Sequence, residues 1–151
     1  MKKTLCLLMA GITLFTLTGC EKVKGNYKEG TYEAEVVDEY NNEGNIASAK
    51  VVINEKGKIE SVYLDTTYTT SDGVQTTKKA LGNDYNMKKF YPTAAGEWFE
   101  QVEKLEAAIV ENNGVDFIKL KDDKTTDVVS GCTIKVDALV EATKKALEEA
   151  K

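Results

Sequence analysis

The residues best suited to chemistry stand together near the end of the chain, in the stretch DVVSGCTIKVD at residues 127 to 137. A Ser-Gly turn there carries Cys132 and Thr133 to the expected start of an amphipathic helix. A thiol or hydroxyl nucleophile needs an adjacent base or a cationic neighbour to activate it. The chain contains no histidine, and its 20 basic residues are all lysine. We therefore predict no catalytic residues of the usual hydrolase kind.

A metal centre in this stretch is equally unsupported by the sequence. There is no imidazole, Cys132 offers one thiol, and the acidic residues follow none of the common ligand spacings. We predict no metal site.

The Ser-Gly-Cys-Thr turn is better suited to holding a ligand. Gly131 permits close approach of a backbone, and the unpaired amides at a helix N-terminus favour a phosphate. Lys135 adds a cation in the expected first turn. The hydroxyl of Thr133 could hydrogen-bond a phosphate or be esterified to one. On these residues alone the alternative stays open that Thr133 is simply a helix N-cap.

The first half of the chain predicts the sheet that must support this turn. Alternation in TYEAEVVDEY indicates a half-buried strand, and residues 46 to 68 read as two further strands joined by a turn at residues 54 to 57. Val51 and Ile53 share one face of their strand, and Ile59 and Tyr63 are expected to share a face of the next. The pattern is typical of an antiparallel meander of at least three strands.

The second half changes to a helical period. Two apolar stripes predict helices: Trp98, Val102, Leu105 and Ile109, ending at Asn113-Gly114, and then Val136, Leu139, Val140, Thr143 and Leu147. VDFIKL between them predicts a short strand. Residues 66 to 92 form an irregular connection with a short helix near residues 76 to 81, and a connection of this kind favours a binding loop. The fold class is therefore α+β, a twisted antiparallel sheet packed with two main helices.

The first 20 residues predict export. Lys2 and Lys3 precede an apolar run that is too short for a stable bilayer span of about 20 residues. The run ends in Leu17-Thr18-Gly19-Cys20, which resembles the lipobox of bacterial lipoproteins. We expect residues 1–19 to be a signal peptide, residues 20–30 a lipidated N-terminus and tether, and residues 31–151 one domain.

Lipidation of Cys20 would anchor the protein on the extracytoplasmic face of the cell membrane. Cys6 leaves with the signal, so Cys132 becomes the only free thiol of the mature chain. Loss of two lysines leaves 18 against 25 acidic residues, a net charge of −7. So acidic a domain is a poor binder of nucleic acid, and we predict none as a partner.

DVVSGCT followed by an amphipathic helix resembles the flavinylation motif of the FMN-binding domain family, roughly Asp-x-x-Ser-Gly-Ala-Thr. Upstream, YKEGTYEAEV and EKGKIESVYLD also agree with this family, and DYNMKKF…GEWFEQVEKLEAAIV is similar to small lipid-anchored flavoproteins of extracellular electron transfer. The resemblance covers about residues 27 to 150. Cys132 stands where the family usually has alanine, and Lys135-Val136 where Thr-Ser is common.

The resemblance implies a covalent cofactor and a set of site residues. Thr133 would carry FMN through a phosphoester made by a separate flavin transferase. The remaining motif positions are Asp127, Ser130, Gly131 and Cys132. Candidates for contact with the flavin ring are Thr77, Lys78, Tyr85, Met87, Trp98 and Gln101.

The resemblance also implies a role in electron transfer, more as a carrier than as an enzyme with its own substrate. Electrons would come from a membrane donor, such as a quinol pool fed by an NADH dehydrogenase, and pass to extracellular acceptors. Two alternatives remain open: an FMN relay subunit of one specific reductase, and a lipoprotein that binds a ligand or partner without redox function.

Overall fold

The computed structural model describes residues 25–151, apart from the side chain of Asn42. The predicted signal peptide, Cys20 and residues 21 to 24 lie outside the described residues. Four antiparallel strands form one sheet in the order β1-β2-β3-β4. They are β1 (Gly30–Asp38), β2 (Asn45–Ile53), β3 (Ile59–Thr69) and the short β4 (Gln75–Thr77). The predicted three-strand meander is confirmed, and β4 extends it.

Four α-helices complete the fold: α1 (Lys78–Leu81), α2 (Met87–Phe90), α3 (Trp98–Asn112) and α4 (Asp137–Glu149). Helix α3 packs on β3, and α4 packs on β1 and β2. The fold is α+β, a four-stranded meander packed with the two predicted main helices. Within residues 25–151, no helix has the length and apolar character needed to cross a bilayer.

Small side chains let α4 lie close to the sheet. Ala47 and Ala49 of β2 are buried, as are Ala142 and Ala146 of the helix. Ala34 of β1 pairs directly with Ala49. Alanine on both surfaces shortens the distance at which helix and sheet reach full van der Waals contact. Of the predicted stripe on α4, only Val140 is half-buried rather than buried.

A bulge in β3 overturns one expectation about strand faces. The pairing partner of Val52 is Ser61, whereas Ile53 pairs with Ile59, so Glu60 is an extra residue. Ile59 therefore faces the core, while Tyr63 is 51% exposed on the opposite side. The prediction that Ile59 and Tyr63 share a face is wrong, because the bulge shifts the alternation by one residue.

The end of α3 follows the predicted stop signal. Asn113 adopts a left-handed conformation with φ of 52°, and its Oδ1 accepts a hydrogen bond from the amide of Ile59 at 2.7 Å. The strand predicted for VDFIKL is wrong, because in this segment only Leu120 pairs, with Thr126, as an isolated bridge. Val115 is buried from within a turn, so the apolar run reflects packing and not pairing.

Candidate functional site

A cleft of about 510 Å³ lies where the β1–β2 connection, the segment from α1 to α3 and the loop before α4 meet. This volume is within the usual range of about 300–1,000 Å³ for pockets that bury small ligands and cofactors. Six aromatic side chains contribute to its lining: Tyr40, Tyr68, Tyr85, Phe90, Tyr91 and Trp98. The cleft thus offers several flat apolar surfaces to a ligand.

The aromatic lining is held in place from several elements. Trp98 is the first residue of α3 and is 5% exposed. Tyr68 of β3 and Tyr85 meet edge to face, with ring centroids 5.2 Å apart. The carboxylate of Glu97 accepts hydrogen bonds from the amides of Met87 at 2.8 Å and Lys88 at 3.3 Å. These bonds fix the start of α2 against the start of α3.

Thr133 stands at the cleft but does not start a helix. Helix α4 begins at Asp137 with Val136 as its N-cap residue, so the expectation that the turn leads directly into the helix is wrong. Residues 132 to 136 form neither helix nor strand, and the alternate residues Cys132, Ile134 and Val136 are buried in the core, which holds the segment in place. Neither the N-cap role nor the helix amides therefore apply to Thr133.

Gln101 of α3 holds Thr133 instead. Its Oε1 accepts hydrogen bonds from both the amide and the hydroxyl of Thr133, at 2.8 Å and 2.9 Å. Gln101 is fully buried, and its Nε2 donates to the carbonyl of Gly96 at 2.8 Å. The same nitrogen lies 3.6 Å from Sδ of Met87. Gln101, which was predicted to contact the flavin ring, thus fixes the position of Thr133.

Gly131 is required by the shape of this loop. Its φ is +74°, and a Cβ there would lie 2.6 Å from Nζ of Lys104. That ammonium donates to the carbonyl of Gly131 at 3.4 Å. A side chain would strain the backbone and displace Lys104.

Cys132 points away from the cleft into the core. Its side chain is 2% exposed, and burial raises the pKa of the thiol from 9.0 to about 11. A neutral, inaccessible thiol behaves as a small apolar side chain. It can occupy the place of an alanine.

Lys78 is the charged residue buried in the cleft lining. It is 7% exposed, and its Nζ lies 5.4 Å from the ring centroid of Trp98 and 5.7 Å from that of Tyr85. Across residues 25–151, no carboxylate lies within the 4.0 Å of an ion pair with this nitrogen. Burial lowers the pKa of Lys78, against the weaker opposing effect of Asp38, Glu43 and Asp65.

The predicted site residues divide into two groups. Those that line the cleft are Lys78, Tyr85, Met87, Trp98 and Thr133. Thr77 instead caps α1, its Oγ1 accepting from the amide of Ala80 at 3.2 Å, and Ser130 is exposed. Asp127 lies in solvent, paired with Lys121 at 3.0 Å.

Four aromatic lining residues escaped sequence reasoning: Tyr40, Tyr68, Phe90 and Tyr91. Tyr40, expected at the end of the first strand, lies instead in the β1–β2 connection, and Tyr68 is the second-last residue of β3. Phe90 and Tyr91 are 70% and 58% exposed. Two adjacent aromatics in an irregular segment, as in KKFYP, were the available signal.

The arrangement favours binding over acid–base catalysis. The one contact of the Thr133 hydroxyl among the described side chains is an amide oxygen, which cannot remove its proton. The cleft instead joins aromatic surfaces, a desolvated ammonium and an accessible hydroxyl. Such a site suits a flat ring system that carries an anionic substituent.

Comparison with known proteins agrees with this chemistry. A model of the FMN-binding domain matches residues 42–148. A solution NMR structure of a Clostridium thermocellum structural genomics target is similar, at 36% identity and a TM-score of 0.55, covering 82% of this chain and 92% of that one. A search of curated proteins gives no match. Because the family model spans well over half of the sequence, the chain belongs to the FMN-binding domain family.

Proposed function

We propose that the protein carries one FMN in the cleft, joined through its phosphate to Thr133, and works as an electron carrier outside the cell. The observation that carries this proposal is the position of the Thr133 hydroxyl at an aromatic cleft with a buried lysine. Family membership supplies the cofactor, and the motif DVVSGCT supports the attachment.

The residues present fit this cofactor. The cleft volume of about 510 Å³ suits a ligand of this class, and the rings of Tyr85 and Trp98 offer surfaces to an isoalloxazine. Thr133 would hold the phosphate end, where Lys135 also lines the cleft. FMN supplies the capacity to accept and release electrons when bound. The chain itself supplies the attachment point, excludes water with the buried ring of Trp98 and provides charge.

Attachment requires a second protein. In the net reaction the bond from Thr133 Oγ1 to phosphorus forms, the hydroxyl proton leaves, and the leaving group departs from an activated FMN donor. Because Gln101 cannot accept that proton, a flavin transferase must supply the base as well as the donor. The structure around Thr133 favours a substrate of modification over an autocatalytic site.

The location and partners belong to the same proposal. Residues 1–19 and Cys20 support export and lipidation, which would place the domain beside a membrane donor such as a quinol pool fed by an NADH dehydrogenase. Exposed Phe90 and Tyr91 at the cleft lining leave an apolar edge near the cofactor where extracellular acceptors could approach. A covalent link prevents loss of the cofactor in this setting.

The test is the intact mass and visible spectrum of denatured protein after co-expression with a flavin transferase. We expect a mass increase of one FMN less one water, with a bound yellow chromophore. Thr133→Val should abolish both. Thr125→Val removes another hydroxyl of the same cleft and should leave both unchanged. Wild-type protein without an adduct, beside a transferase proven on another substrate, contradicts the covalent proposal.

A further inference from the structure

We propose that Lys78 is the charge-compensating residue of the cleft, whose ammonium favours the reduced, electron-rich state of a bound flavin ring over the oxidised state. This inference rests on the proposed binding of a flavin, but it concerns the ring and not the attachment at Thr133. It assigns to Lys78 a control over the redox equilibrium of the bound ring.

The first support is that Lys78 is buried and forms no ion pair with any residue of the described chain. At 7% exposure, its ammonium has lost most of its hydration. Among the other charged lining residues, Asp137 pairs with Lys124 at 2.8 Å and Lys135 is exposed. Asp38 and Glu43 also line the cleft and act on Lys78 only from beyond ion-pair distance. A cation held out of water without a counter-ion is costly, and any negative group that enters the cleft lowers that cost.

The second support is the chemistry of the surroundings. Lys78 Nζ lies beside the rings of Trp98 and Tyr85, at 5.4 Å and 5.7 Å from their centroids. Aromatic faces pack against a flat ring, whereas phosphates are usually held by amide and guanidinium donors. This part of the cleft therefore suits the ring end of a ligand.

These two features give the direction of the effect. A reduced flavin ring carries more negative charge than the oxidised ring, and attraction to a nearby ammonium is strong where water is excluded. Lys78 should therefore add binding energy mainly in the reduced state. Differential affinity between two states is equivalent to a shift in the equilibrium between them.

The experiment uses riboflavin, which has the ring but no phosphate, titrated anaerobically into unmodified protein. Affinity is measured by fluorescence or absorbance with the probe oxidised and with it reduced by dithionite. In wild-type protein we expect reduced riboflavin to bind more tightly. Lys78→Met should weaken the binding of reduced riboflavin about tenfold, and the binding of oxidised riboflavin by less than about threefold. Lys78→Arg should retain the preference.

Two controls isolate the effect. Lys89→Met removes one exposed lysine of α2 and the same net charge, so it should leave both affinities unchanged. FMN titrated in parallel tests whether Lys78 binds phosphate. If Lys78→Met weakens the binding of FMN but not that of reduced riboflavin, the lysine binds the phosphate and the inference is wrong.

The remaining outcomes also decide. Equal losses for oxidised and reduced riboflavin give Lys78 a packing role and overturn the inference, as does a wild type that binds neither form. Thermal unfolding of each unliganded variant checks folding. Because riboflavin cannot be esterified to Thr133, a positive result stands even if the intact-mass test finds no covalent FMN, so the two proposals fail separately.

Discussion

Two of the short segments that line the cleft each place one residue at the cleft and the adjacent residue in the protein interior. In α1, Lys78 lies in the cleft lining while Lys79 joins the interior network of β3 and α3. In the loop before α4, Thr133 stands at the cleft while Cys132 is buried in the core. The segments differ in what steadies the cleft residue. Thr133 is hydrogen-bonded to Gln101, whereas Lys78 has aromatic rings and, among residues 25–151, no ion-pair partner.

The contrast between the two lysines is the more instructive. Lys79 Nζ lies 2.5 Å from Glu106 and 4.0 Å from the ring centroid of Tyr63. Glu106 also accepts from the amide of Leu64, yet burial still raises the pKa of its carboxyl. Lys79 is therefore paired with a carboxylate, whereas no carboxylate of the described chain pairs with Lys78, which Asp38, Glu43 and Asp65 influence only from farther away. An uncompensated charge marks the binding region better than charge alone.

The largest effect on stability is expected from breaking the ion pair between Lys79 and Glu106. Glu106→Gln leaves the ammonium of Lys79 buried without a counter-ion and should lower the free energy of unfolding by about 3 kcal/mol. Chemical denaturation at pH 7 measures it, with the exposed Glu103→Gln on the same helix as control. Lys79→Met combined with Glu106→Leu should recover most of the loss. If the free energy of unfolding of the single variant changes by less than about 0.5 kcal/mol, the Lys79–Glu106 pair does not contribute to stability.

The second effect concerns the buried member of the loop pair. Burial raises the pKa of the Cys132 thiol from its ordinary value of 9.0 to about 11, so the unfolded chain, where the thiol is in water, releases its proton first as pH rises. Stability should therefore be lost between pH 9 and pH 11, by about 2 kcal/mol. Cys132→Ala should not show this loss.

Denaturation of both proteins at pH 8 and pH 11 checks that prediction. Burial raises the pKa of Tyr85 to about 12, but that group is present in both proteins and cancels in the difference. Parallel pH profiles for the two proteins would show that the thiol is accessible to water in the folded state.

A third prediction tests the neutral support of Thr133. Gln101→Met removes the acceptor of two hydrogen bonds and strands the carbonyl of Gly96, which should cost about 2 kcal/mol. Hydrogen exchange at the Thr133 amide should quicken more than at amides in the middle of α4. With a transferase, flavinylation should slow. Gln101→Glu, which keeps an acceptor, should restore protection of the Thr133 amide, and equal exchange in both variants would refute the support.

The smallest effect has the opposite sign. Because burial lowers the pKa of Lys78, the unfolded chain holds that proton more tightly than the folded one. Lys78→Met should therefore raise stability at pH 7, by about 1 kcal/mol. Thermal unfolding compares it with Lys79→Met, which should be destabilising because it leaves Glu106 unpaired. If both substitutions lower stability, Lys78 does not differ from Lys79 in its effect on folding, and the prediction is wrong.

The periodicity of apolar residues predicted the helices and long strands, whereas the types of neighbouring residues did not predict the irregular segments. The stripes of α3 and α4 and the alternation of β1 and β2 are repeated along many residues, so their signal is strong. One inserted residue, Glu60, reversed the face of Tyr63 without any mark in composition. The start of α4 was misplaced because the apolar residues Ile134 and Val136 continue the apolar pattern of the helix although they lie before its first residue.

For the site, the motif residue Thr133 was recognisable but its partner was not. Gln101 was predicted only as a ring contact, and its hydrogen bonds to Thr133 were not predicted, since a buried amide that reaches across 32 residues to its partner leaves no local pattern. The charge state of Lys78 also depends on burial by distant segments. Residues that act through tertiary contact could be found only from the structure.

The bond between Gln101 and the Thr133 hydroxyl can exist only while the oxygen keeps its hydrogen. Once that oxygen is esterified, as proposed, two acceptors face each other at 2.9 Å with no proton between them. Their attraction becomes repulsion, and the threonine side chain must turn away while its amide can remain bonded. On this proposal, attachment of FMN would change the rotamer of Thr133 and remove the hydrogen bond from its hydroxyl to Gln101.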